Sequence, residues 1–76
     1  MTAKAYVLIE TQVGKTKQVV EAIHKLEGVS SVDVVTGPYD AIAILRTETL
    51  NDMGELIVAK VQPVAGISRT VTCLVM

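Results

Sequence analysis

Two short runs, AYVLI at Ala5–Ile9 and AIAIL at Ala41–Leu45, are apolar at every position. Successive side chains of an extended chain point to opposite faces, so a strand of this kind has no side suited to water. Both runs therefore belong in the middle of a sheet, covered above and below. Two further strand-like segments, Val29–Thr36 and Ala65–Met76, carry Ser, Asp, Thr and Arg and suit the edges. In the last of these, Ser68, Thr70 and Thr72 share one face, while Arg69, Val71, Cys73 and Val75 share the other.

Helical spacing fills the intervals. Lys15–Glu27 places Val19 or Val20, Ile23 and Leu26 on one stripe, with Gly28 positioned to end the helix. After a third strand at Ala41–Thr47, Thr49 and Asp52 form a helix-capping signal. Leu50, Met53, Leu56, Ile57 and Val61 then make an apolar face, and Pro63 stops the helix. Gly54 within it costs about 0.5–1 kcal/mol relative to alanine. The halves are weakly alike: Gly28-Val29-Ser30-Ser31 follows the first helix and Gly66-Ile67-Ser68-Arg69 the second. Two strand–helix–strand units with right-handed crossovers predict an α+β, ferredoxin-like βαββαβ plait. Its four-stranded antiparallel sheet has order 4-1-3-2 and both helices on one face, in one domain over residues 1–76.

Such a fold leaves one sheet face without helices. Either Tyr6 and Leu8 or Val7 and Ile9 line that face. Half of the residues are hydrophobic and the mean hydropathy is +0.47, more than a 76-residue monomer has interior to hide. A second copy of the same sheet, packed about a two-fold axis, is the simplest cover. A homo-oligomer is expected.

The turn Thr36-Gly37-Pro38-Tyr39-Asp40 joins the two halves. Pro38 presets a turn dihedral and Gly37 leaves the entry unhindered. As a site, it offers an Asp40 carboxylate for an ammonium, amides near Gly37 for a carboxylate and the Tyr39 ring as an apolar wall. As plain structure, Gly37 and Pro38 make the turn and Asp40 caps nearby backbone N–H groups. Both readings stand on the residues alone.

Two segments resemble the ligand-binding RAM domain (regulation of amino acid metabolism) of the Lrp/AsnC transcription regulators. Val34–Asp40, VVTGPYD, is similar to that family's T-G-x-Y-D turn, and Gly66–Val75, GISRTVTCLV, to its G-V-x-x-T-x-T last strand. The resemblance implies a non-catalytic module that binds small effectors, usually amino acids, between dimers joined through their sheets, with dimers assembling into octamers or similar rings. Carried over, the ligand-binding positions are Gly37, Tyr39, Asp40, Thr70 and Thr72. Pro38 occupies the family's variable position and lacks an N–H that a ligand carboxylate could use. Family regulators carry a helix-turn-helix domain before this module. Met1 lies too close to the first strand for one, so the sequence reads as a stand-alone form that modulates full-length relatives and does not contact DNA directly.

Composition excludes other roles. The net charge of −1 gives no basic footprint for nucleic acid, and Tyr6 and Tyr39 are the only aromatic residues available for base stacking. No apolar run is long enough to span a membrane, and no secretory signal is evident. One cysteine, Cys73, suits a reducing cytoplasm and reads as a core residue; His24 reads as exposed on its helix. No metal-ligand spacing, cofactor motif or catalytic constellation is present. Arg46 and Arg69 are available for ion pairs at strand ends. Two other functions share this fold: a small dimeric monooxygenase-type enzyme, disfavoured by the absence of Trp and Phe and the single His, and an ACT-like regulatory domain, which lacks support from the turn.

Overall fold

The computed structural model describes residues 2–76. Its elements are β1 (Ala3–Thr11), α1 (Thr16–His24), β2 (Val29–Val34), β3 (Ala41–Thr47), α2 (Leu50–Glu55) and β4 (Ile67–Leu74); α2 runs on as a π-helical segment over Leu56–Val61. The strands form one antiparallel sheet in the order β2-β3-β1-β4, the expected plait read from its other edge. The two apolar runs are the central strands.

Register decides which side chains face the helices. Ala5, Val7 and Ile9 of β1 and Ala41, Ala43 and Leu45 of β3 are fully buried with Val19 and Ile23 of α1. Met53, Leu56 and Val61 complete this core from the second helix. Each large side chain so buried stabilises the fold by about 1.5–3 kcal/mol. Tyr6 lies opposite Ile44 and Cys73, and Leu8 opposite Ile42 and Val71, all on the face without helices. Of the two sets the sequence left open, Tyr6 and Leu8 therefore line the open face.

Several expectations are corrected. α1 ends at His24 rather than Glu27, because Leu26 N–H bonds to Ile23 O at 3.0 Å and Val29 N–H to Leu26 O at 3.3 Å, tightening the chain into successive turns. Strand two stops at Val34 and strand four spans only Ile67–Leu74. Thr49 caps α2 as expected, its hydroxyl accepting from Asp52 N–H at 3.0 Å, but Leu50 points outward and is 62% exposed. Past Glu55 the helix widens: Gln62 N–H bonds to Ile57 O at 2.9 Å, five residues back. Cys73 is exposed on the open face instead of buried in the core, since it shares the alternation of Arg69 and Val71. His24 is exposed, as read. Arg69 pairs with Glu10 at 3.5 Å across β4 and β1.

The weak internal repeat has a physical basis. Gly28 and Gly66 each follow a helix, have φ of +97° and +99°, and lie beneath the helix of the other half. A Cβ on Gly28 would sit 2.8 Å from Leu56 Cδ2, and one on Gly66 2.9 Å from Val19 Cγ2. The left-handed backbone and the close approach both require glycine. Among the described residues no helix is long and apolar enough to cross a membrane, and no cluster of metal-ligating side chains is present.

Candidate functional site

The end of β1, the start of β3 and the start of β4 meet at one end of the sheet, where α1 also begins. The 36–40 turn crosses this end. Asp40 N–H donates to Ile9 O at 2.8 Å and Val35 N–H donates to Asp40 O at 2.9 Å, closing the loop between β2 and β3. Gly37 sits at the tip with φ +116° and nothing within 4 Å of where a Cβ would stand. Tyr39 and Asp40 are half-buried at the base.

The Asp40 carboxylate has specific partners here. Its Oδ2 accepts from Thr11 N–H at 2.8 Å and from Thr11 Oγ1–H at 3.2 Å. Thr11 Oγ1 lies 2.7 Å from Thr16 Oγ1, so Thr16, with its hydroxyl as donor, extends the chain into the first turn of α1. Asp40, Thr11 and Thr16 thus tie the turn to the end of β1 and the start of α1. Asp40 was expected to cap nearby backbone N–H groups; its carboxylate instead bonds Thr11, 29 residues away on the adjacent strand. Both bonds fall on Oδ2, and Oδ1 takes part in neither. Thr11 and Thr16 were not marked by the sequence; the signal was a pair of threonines bracketing the connection from strand to helix.

Thr70 and Thr72 lie across β1 from the turn. Ile9 pairs with Ala41 on one side and Thr70 on the other, which sets Thr70 about 10 Å from the start of β3, two strand spacings away. Thr72 faces Val7, farther from the turn. Both threonines point to the helix side of the sheet, yet the helices lie over β1, β2 and β3, so Thr70 is only half-buried and Thr72 is exposed. Gly37, Tyr39, Asp40 and Thr70 therefore share one end of the molecule, with Thr72 leading away from it. Two clefts of a single chain lie elsewhere. One, of about 890 Å³, runs between the end of α1 and the second helix past Lys25, Gly28 and Lys60. The other, of about 850 Å³, lies between Ala3, Leu50 and Leu74. The turn residues line neither.

Residues 4–76 match the model of the Lrp/AsnC ligand binding domain. An HTH-type transcriptional regulator of Pyrococcus furiosus is 34% identical over 56 residues, which make up 74% of this chain and 37% of that one; the chain thus spans well under half of that regulator's length. TTHA0845 from Thermus thermophilus superposes with a TM-score of 0.92 at 31% identity, covering 97% of this chain and 92% of its own. The transcriptional regulator NMB0573 of Neisseria meningitidis, in its L-Met complex, has the same fold with a TM-score of 0.85 at 13% identity, over 97% of this chain and 49% of that one. The family model spans the turn, both threonines and every element of the plait, and it describes a domain that binds ligands rather than one that catalyses a reaction. The chain belongs to the Lrp/AsnC ligand-binding domain family.

Proposed function

We propose that this single domain, residues 1–76, binds a small effector, an amino acid, at the end of the sheet marked by Gly37, Tyr39, Asp40 and Thr70, with Thr72 flanking. The observation that carries this reading is the Asp40 carboxylate, fixed through Oδ2 by Thr11 while Oδ1 remains for a ligand ammonium. A charge-assisted bond of that kind contributes about 1.5–3 kcal/mol when shielded from water. Amides beside Gly37 receive the ligand carboxylate, since no side chain stands there. The L-Met complex of the Neisseria regulator supports the ligand class.

The two clefts described above lie away from the turn, and on this reading a neighbouring copy closes the site. The alternation of β4 supports self-association through the sheet. Val71 and Cys73 face the side without helices, beside Tyr6 and Leu8, with Arg69 at the end of that row, while Thr70, Thr72 and Leu74 face the helix side. An edge strand turns its apolar side toward whatever excludes water, and here that is a second sheet. The dimers join into an octamer or similar ring, work in the cytoplasm, and modulate full-length Lrp/AsnC regulators.

A thermal-shift screen of the twenty amino acids, followed by native mass spectrometry, tests the proposal. At a hundredfold excess over Kd an effector adds about 2.7 kcal/mol of stability. Asp40→Asn keeps an acceptor for Thr11 and abolishes the shift. A protein indifferent to all twenty overturns the amino-acid reading.

A further inference from the structure

The backbone of Asp40 is held on both sides: its N–H donates to Ile9 O at 2.8 Å and its C=O accepts from Val35 N–H at 2.9 Å. Only the side-chain torsions are left to be set. Two donors set them, the Thr11 N–H at 2.8 Å and the Thr11 hydroxyl at 3.2 Å, and both fall on Oδ2. The longer bond depends on where the Thr11 proton points. A hydroxyl has one proton to give and can turn it toward any acceptor in reach. Thr16 removes that choice. An ionised carboxylate has no proton to give, so the Thr11 proton goes to Asp40, and the 2.7 Å contact between the two hydroxyls runs from Thr16 to Thr11. The reverse arrangement, with Thr11 donating to Thr16, would leave Oδ2 facing a lone pair.

Nothing in α1 itself asks for a hydroxyl at position 16. Lys15 stands at the N-cap and makes no side-chain bond there. Thr16, the next residue, sends its hydroxyl out of the helix to the end of β1. A β-branched residue is also a middling helix former.

We propose that Thr16 is a positioning residue for the effector ammonium. Acting through Thr11, it fixes the plane of the Asp40 carboxylate so that Oδ1 stands ready for a ligand cation, and it does not touch the ligand itself. The inference rests on the reading of the turn as the effector site. Hydrogen bonds in a chain polarise one another, so the bond from Thr16 strengthens the one from Thr11 to Oδ2. Thr16, Thr11 and Asp40 are all half-buried, so water competes for these groups only in part. A carboxylate already oriented gives up no torsional freedom when the ligand arrives. The benefit is confined to ligands that carry a cation.

The test uses the full chain and whichever of the twenty amino acids binds it most tightly. Thr16→Val removes the hydroxyl and keeps the shape, whereas Thr16→Ser keeps the hydroxyl. By isothermal titration Thr16→Val is expected to bind that amino acid about three- to tenfold more weakly than the parent protein, and Thr16→Ser to bind as the parent does. The same acid with hydrogen in place of its ammonium has nothing to offer Asp40, so the parent and Thr16→Val are expected to bind it equally. A general loosening of the site would weaken both ligands alike, and the split separates positioning from structure. In the free protein the carboxylate carbon resonance of Asp40 moves in Thr16→Val and stays in Thr16→Ser. Equal affinity of Thr16→Val and the parent for the amino acid overturns the inference, and so does an equal loss for both ligands. A parent protein indifferent to all twenty overturns the underlying reading instead, and there an unmoved Asp40 resonance overturns the positioning role as well.

Discussion

Asp40 holds the turn in place through one carboxylate oxygen. Its carboxylate anchors Thr11, and through Thr11 and Thr16 it fastens the turn to the strand and helix beside it. Replacing Thr11 with Val keeps the backbone bond but removes both hydroxyl contacts. Each is worth about 0.5–1.5 kcal/mol, so Thr11→Val is expected to lower stability by about 1–3 kcal/mol in urea titration. The turn at Gly37 and Pro38 was legible because that pair presets turn dihedrals, whereas a ligand role for Gly37, Tyr39 and Asp40 was implied only by the family resemblance. Thr11 and Thr16 were not, since hydroxyls at a strand end carry no periodic mark and their partner lies far along the chain. Cys73 was misplaced for a related reason. Alternation in β4 divides its residues into two faces but does not say which one meets the helices. A small apolar side chain suits the core by type, yet register sends it to the open face.

At the scale of elements, the strands of both halves were readable because β1 and β3 are apolar at every position. The helix ends were less so. Gly28 looked like a helix stop, but α1 gives way to tighter turns four residues before it. Nothing in the composition of Leu56–Val61 distinguishes a π-helical run from an α-helical one, because the two differ by one residue in hydrogen-bond reach. The glycines after the helices matter more than as punctuation. Gly66→Ala forces an L residue to φ +99° and drives its methyl against Val19 and Lys15. A loss of more than about 1 kcal/mol is expected from the backbone alone, with steric conflict added. Chemical denaturation of this variant beside Gly54→Ala provides the check, since Gly54 has space and only its helix propensity changes.

For the whole molecule, the decisive property is a sheet whose second face is apolar at Tyr6, Leu8, Ile42, Ile44 and Val71 and bordered by charge. Leu8→Glu puts a carboxylate at the centre of that face without touching the core, so sedimentation is expected to show a fall in mass with retained secondary structure. The exposed face could be foreseen from hydrophobic content; which strand residues form it could not, until the register was known. One consequence follows from the exchanged glycines and the strand order. Each half supplies the notch into which the other half's helix fits, and each central strand is flanked on at least one side by a strand from the other half. Severing the backbone at the tip near Gly37 is therefore expected to give two peptides that are unstructured alone and regain the native circular dichroism when mixed, the signature of a clasp that neither strap can close by itself.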